Sequence, residues 1–111
     1  RNIHKKSFDE ATIKKLMEMV AEVDHAYVVM VDNLIAAHRG ALEEISNAYN
    51  AEDRINNMRN NLRDAAIEEF ENEGKSYQTS VYYMDIVNEL ERMGDFMINV
   101  SQDLERAFIQ K

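Results

Sequence analysis

Across 111 residues the chain has no proline and only three glycines, Gly40, Gly74 and Gly94. Tight turns need residues that fix φ or tolerate a positive one, so a fold with many strands and turns has almost nowhere to bend. Long uninterrupted helices are what remains. Gly40 and Gly74 cut the chain into three stretches of similar length, each expected to form one helix.

The first helix opens in "SFDEATIKKL" with a capping-box pattern, Ser7 followed by Glu10. Leu16, Val20, Val23, Tyr27, Met30, Val31 and Leu34 then follow 3-4 spacing as one stripe. His38, Arg39 and Gly40 close it, because cations suit a helix C-terminus and glycine suits the left-handed cap. A second helix is expected from about Ala41 to Asn72, with Leu42, Ile45, Ala48, Tyr49, Ile55, Leu62, Ala66 and Phe70 on one face, and Gly74 as its end. Ser76 caps a third from about Tyr77 to Phe108, whose stripe holds Tyr83, Ile86, Val87, Leu90, Met93, Met97, Val100, Leu104 and Phe108. Helices of about 30 residues are ~45 Å long. Short connections make neighbours antiparallel. The expected fold is therefore all-α, an antiparallel up-down-up three-helix bundle over residues 7–111. Residues 1–6, "RNIHKK", read as a linker remnant of a longer protein.

Composition narrows the function. Hydrophobic residues make up 45% of the chain, enough to support a core. A net charge of -8 argues against nucleic acid and against an anionic membrane surface as partners. No apolar run approaches the ~20 residues of a membrane span, so direct membrane insertion by this segment is not expected. Cysteine is absent, which excludes disulfides and thiolate chemistry. The three histidines are not paired at metal-ligand spacing, and neither a nucleophile signature nor a phosphate-cradling glycine loop is present, so an enzyme is not expected. A carboxylate–metal bundle enzyme is disfavoured for the same want of histidine.

Two features exceed what a simple bundle needs. "AYVVMV" (residues 26–31) and most of "VYYMDIV" (81–87) are apolar on more than one face, and Phe96 and Met97 point to different sides. The surplus should meet a second copy, a neighbouring domain or a helix of the parent protein; the alternative is scattered exposed apolar residues, which are ordinary. The second feature is polar. Asn88, Glu91, Asp95, Asn99 and Gln102 form an oxygen-rich stripe on the third helix, while Glu52 and Asn56 repeat the i, i+4 spacing on the second. Carboxylates one turn apart repel. Either a divalent cation or the arginines of the second helix, Arg59 and Arg63, would neutralise them. Gly94, between Glu91 and Asp95, shares the core stripe with Leu90 and Met97 and reads as a point of close helix approach.

The run "NELERMGDFMINVSQDL" resembles the last-helix signature of PhoU domains, approximately L-E-R-I-G-D followed by N-I. Leu90, Glu91, Arg92, Met93, Gly94, Asp95, Asn99 and Val100 stand in those places, with Met93 and Val100 as conservative changes. "AEDRINNMRNNLRD" is similar to the second PhoU helix, where an acidic pair at i, i+4 precedes an isoleucine-bearing run. The resemblance implies metal ligands on these two helices: Glu91 and Asp95 match one motif and Glu52 the start of the other, for a divalent or trivalent ion. Asn56 departs from it, with an amide where the family usually has a carboxylate. "RNNLR" and "YYMDI" look more like the PhoU-like tail of bacterial sodium/phosphate cotransporters than like free-standing PhoU, which carries two such bundles in tandem. The resemblance thus implies a regulatory domain on the cytoplasmic side of the plasma membrane. Its partners would be the transmembrane part of a parent transporter and, by homodimerisation or through a sister domain, another bundle. A free-standing phosphate-signalling adaptor is the alternative.

Overall fold

The computed structural model describes residues 8–73 and 77–109, apart from the side chains of residues 70, 72, 73 and 77. Three helices follow in order, α1 (Glu10–His38), α2 (Ser46–Glu73) and α3 (Tyr77–Phe108), and each packs against both others. This is the expected three-helix bundle. The expected ends of α3 and the C-terminus of α1 match the structure.

Asp9 is the N-cap of α1, its carboxylate accepting the Thr12 N–H at 2.8 Å. Ser7, expected to cap this helix, lies outside the described residues, as do Gly74 and Ser76. At the other end Gly40 has φ +70°, donates to the Ala37 carbonyl at 3.1 Å, and is followed by an Ala41 N–H bonded to the Ala36 carbonyl at 2.8 Å. This pair of bonds is a Schellman motif, and it satisfies carbonyls that the helix end would leave unpaired.

α2 starts later than expected, at Ser46 rather than near Ala41. Residues 41–45 instead form a non-helical bridge after the glycine turn. Leu42 and Ile45 pack from this bridge onto Val29, Ala48 and Ile98. The Ile45 carbonyl accepts the first α2 amides, from Ala48 at 2.9 Å and Tyr49 at 3.3 Å, while Glu44 takes the Ser46 N–H at 2.6 Å. Burying Leu42 and Ile45 at the bundle end outweighs one further helical turn of good helix formers.

Cross-helix contacts fix the register. Glu22 pairs with Arg54, and Asn33 with Asn47, so α1 and α2 are antiparallel. The Phe8 ring meets Tyr83 edge-on at 6.1 Å, and Asn33 reaches Ser101, so α1 and α3 run parallel. Leu16, Met19, Val23, Ala26, Ile55, Leu62, Val87 and Met97 form the main core. The α1 stripe is rotated from the expected one: Leu16, Met19, Val23, Ala26, Val29, Asn33 and Ala37 are buried, while Val20, Tyr27 and Leu34 are exposed. Tyr49, Ile86, Met93 and Phe108 are likewise exposed rather than in the core. Ala26 and Ala37 on the inner face let the axes approach, and the larger Tyr27 and Leu34 beside them lie outward.

Candidate functional site

The site begins where Gly94 of α3 packs on α2. Gly94 faces Ile55, and its missing Cβ is what admits the isoleucine. One turn towards the C-terminus of α2, the Arg59 guanidinium forms an ion pair with Glu91. Arg59 is held in turn by Asn60 Oδ1, which accepts from its Nε at 3.2 Å and its Nη2 at 3.1 Å. Both partners of the ion pair are mostly buried, so its attraction is less screened than at the surface.

One turn the other way, Glu52 stands within electrostatic reach of Asp95. Burial raises the Glu52 pKa, and the charges of Asp95 and Asp53 raise it further. Asn56 lies one turn on from Glu52, half-buried. The sequence left cation and arginine as alternatives for the two carboxylates of α3, and the structure separates them. Glu91 has its arginine. Asp95 has no cationic partner among the described residues, and Arg63 sits near Asp64 of its own helix at 3.9 Å instead of reaching α3.

This donor set does not fit a metal cluster. Glu91 is engaged by Arg59, Asn56 offers a neutral amide oxygen, and the carboxylates left are Glu52, part-buried, and Asp95, exposed, each acting on the other as a like charge. Among the described residues no three His, Cys, Asp or Glu side chains gather closely enough to hold a metal ion.

A family model for the PhoU domain matches residues 28–104, well over half of the chain, from the second half of α1 almost to the end of α3. The chain belongs to the PhoU domain family. No curated protein and no solved structure matches it. Membership supports a regulatory role in phosphate signalling. The matched segment contains Glu52, Asn56, Glu91 and Asp95, so this PhoU domain carries an ion pair and a like-charged pair on α2 and α3.

Sequence reasoning missed a polar node that joins all three helices of the PhoU domain. The buried Asn33 amide donates to Asn47 Oδ1 at 3.3 Å and to Ser101 Oγ at 3.2 Å, and Asn47 donates back to Asn33 Oδ1 at 3.2 Å. Ser101 is 0% exposed and Asn33 3%. The signal was present in the spacing: Asn33 stands four residues from Val29 and four from Ala37, within the stripe that is actually buried. Also unforeseen was the two-bond clamp of Arg54 on Glu22, at 2.7 and 3.1 Å, which lowers the Glu22 pKa. A groove of about 370 Å³ opens between α1 and α3, lined by Tyr27, Met30, Met93, Phe96 and Met97 with Glu89 and Arg92 at its rim.

Proposed function

We propose that this PhoU domain is the cytoplasmic regulatory module of a bacterial sodium/phosphate cotransporter-like protein and acts through helix-mediated contacts. The observation that carries this reading is the uncovered apolar groove between α1 and α3 on a bundle of the PhoU family. A regulatory module needs a surface that docks, and exposed apolar patches of this kind mark such surfaces. In this reading residues 7–111 are the domain, residues 1–6 its linker, and the transported ions pass through the parent protein. Among the described residues no helix is long and apolar enough to cross a membrane. The cotransporter assignment itself leans on "RNNLR" and "YYMDI".

The test is sodium-dependent phosphate uptake in cells expressing the parent gene with and without this domain. Loss of the domain is expected to change how uptake responds to external phosphate. A parent sequence with no apolar spans of ~20 residues overturns the transporter reading in favour of a free-standing adaptor.

Metal enters as a narrower proposal: one divalent cation shared by Glu52 and Asp95, with the Asn56 amide oxygen beside them. The mutual repulsion of the two carboxylates supports it, since a cation reverses that sign. Millimolar divalent cation is expected to raise the Tm, and Glu52→Gln to remove the rise. An unchanged Tm with every divalent cation tried sinks this proposal and leaves the docking reading standing.

A further inference from the structure

A second groove, of about 400 Å³, lies between α2 and α3, separate from the one between α1 and α3. Its floor is aliphatic, made by Ala66 and Ile67 of α2 with Val81 and Met84 of α3. Ile67 is 49% exposed there. Glu71 of α2 and Asp85 of α3 line its edge. Both carboxylates are exposed, and neither is in an ion pair with a described residue.

We infer that this groove holds the N-terminal segment of the same chain, residues 1–7, with Ile3 on the aliphatic floor and Lys5 and Arg1 on the two carboxylates. The inference rests on neither the cotransporter nor the metal reading. Residues 1–7 lie outside the described residues, and what carries the inference is where they start, how far they reach and how their charges are spaced.

Phe8 packs edge-on against Tyr83, next along α3 from Met84 of the groove. The segment therefore departs from the end of the bundle where α2 finishes and α3 begins, the end that bears Glu71. Seven extended residues span at most ~23–25 Å. The bundle measures 26 Å by 17 Å across, so the segment is long enough to cross its end and enter the groove.

Charge favours this occupant. Residues 1–7 hold Arg1, Lys5 and Lys6 and no acidic residue, in a chain whose net charge is -8. In an extended segment alternate side chains share a side, which groups Arg1, Ile3 and Lys5, with the two cations ~13 Å apart. The groove repeats that order of charge, apolar floor and charge. With Ile55 opposite Gly94 in the antiparallel pair, Asp85 lies level with about residue 64 of α2, which is ~10 Å along the axis from Glu71. Helix axes ~8–10 Å apart add the sideways offset and bring the separation of the carboxylates to ~13 Å. Entry from the Glu71 end sets Lys5 beside Glu71 and Arg1 beside Asp85. Attachment also holds the segment at an effective concentration on the order of millimolar, which an untethered basic peptide would have to exceed.

Paramagnetic broadening in the full chain tests this. The chain has no cysteine, so a nitroxide on Asn2→Cys is a single label. The expected result is strong broadening of the amide signals of residues 66–71 and 80–85, and far less near Tyr27 and Phe96 in the other groove. Molar salt, which shortens the screening length to ~3 Å, should weaken it. Glu71→Gln with Asp85→Asn should lower the ratio of docked to free segment roughly fivefold, the worth of two exposed ion pairs. Helical circular dichroism should not change, because both residues are exposed and lie outside the core. Ile3→Ser should release the segment as well. Equal broadening in the two grooves, or broadening that survives the double carboxylate variant, overturns the inference. So does broadening that appears when nitroxide and isotope are on different chains, since the groove then holds another molecule's segment. None of these outcomes bears on phosphate uptake or on the response of Tm to cations, which test the other two readings.

Discussion

Gly94 on α3 lies directly against Ile55 on α2: a Cβ at position 94 would stand 2.7 Å from Ile55 Cδ1 and 3.4 Å from its Cγ2. The glycine in mid-helix is thus a packing requirement, and it brings the turns bearing Glu91 and Asp95 close to α2.

Gly94→Ala gains about 1 kcal/mol of helix propensity but forces a fully buried isoleucine to move, at about 1–3 kcal/mol. A net loss of about 1 kcal/mol is expected in urea unfolding. Ile55→Val alone costs about 0.5–1.5 kcal/mol. Because valine lacks the Cδ1 that obstructs, the double variant should be more stable than the sum predicts by about 1 kcal/mol. Strict additivity would show that Ile55 Cδ1 is not the obstacle.

Arg59 and Glu91 are coupled, while Arg63 is a bystander. Removing one partner of the mostly buried pair should cost about 1–2 kcal/mol, between the values for exposed and fully buried ion pairs. Arg59→Met with Glu91→Gln should recover part of that loss, and Arg63→Met should stay within about 0.5 kcal/mol of the parent chain. Equal effects at positions 59 and 63 would contradict the observed pairing.

Glu52 should lower stability at neutral pH. Its folded pKa is raised from 4.5, first by burial and then by Asp95 and Asp53. The folded state therefore holds this proton more tightly than the unfolded chain. The stability tied to the proton is fully present below the unfolded value, and it is lost as pH rises through the folded pKa. Glu52→Gln should raise the Tm at pH 7 in chelator, with the gain shrinking towards pH 4. Asp95→Asn should act in the same direction. A Glu52→Gln gain that does not vary with pH would rule out this electrostatic account.

Asn33 is expected to be costly to truncate. Asn33→Ala leaves buried Ser101 without its amide partner and should lose about 1–3 kcal/mol. Asn33→Leu with Ser101→Ala removes both polar groups and should restore much of the stability, while amide exchange near the Asn47 end of α2 accelerates as register is less firmly held. Unchanged exchange rates in the double variant would mean that the node does not set register.

How much of this was legible depended on whether one residue or a competition decided the outcome. Of the expected α3 stripe Tyr83, Val87 and Met97 are buried and Ile86, Met93 and Phe108 are exposed, whereas Gly40 alone dictates the end of α1, so that end could be read. The start of α2 could not, because Leu42, Glu43 and Glu44 suit a helix locally and only packing onto Val29 and Ile98 draws the bridge open. The rotation of α1 was hidden for a related reason. Val20, Tyr27 and Leu34 form as good an apolar stripe as the buried one, and a pattern with two apolar flanks does not say which faces inward. At the seam, spacing identified Glu52, Glu91 and Asp95 as a group; which one meets an arginine depends on the stagger of α2 against α3, and that is set by Ile55 and Gly94.

An odd number of helices has a mechanical consequence. Phe8 and Ile109 are delivered to opposite ends of a body 55 Å long and 26 Å by 17 Å across. Tension applied between those two residues runs along three parallel struts, and cannot peel them apart one at a time as it would in a hairpin pulled from its open end. Pulling Phe8 against Ile109 therefore loads the bundle in shear along its length rather than unzipping it from one end.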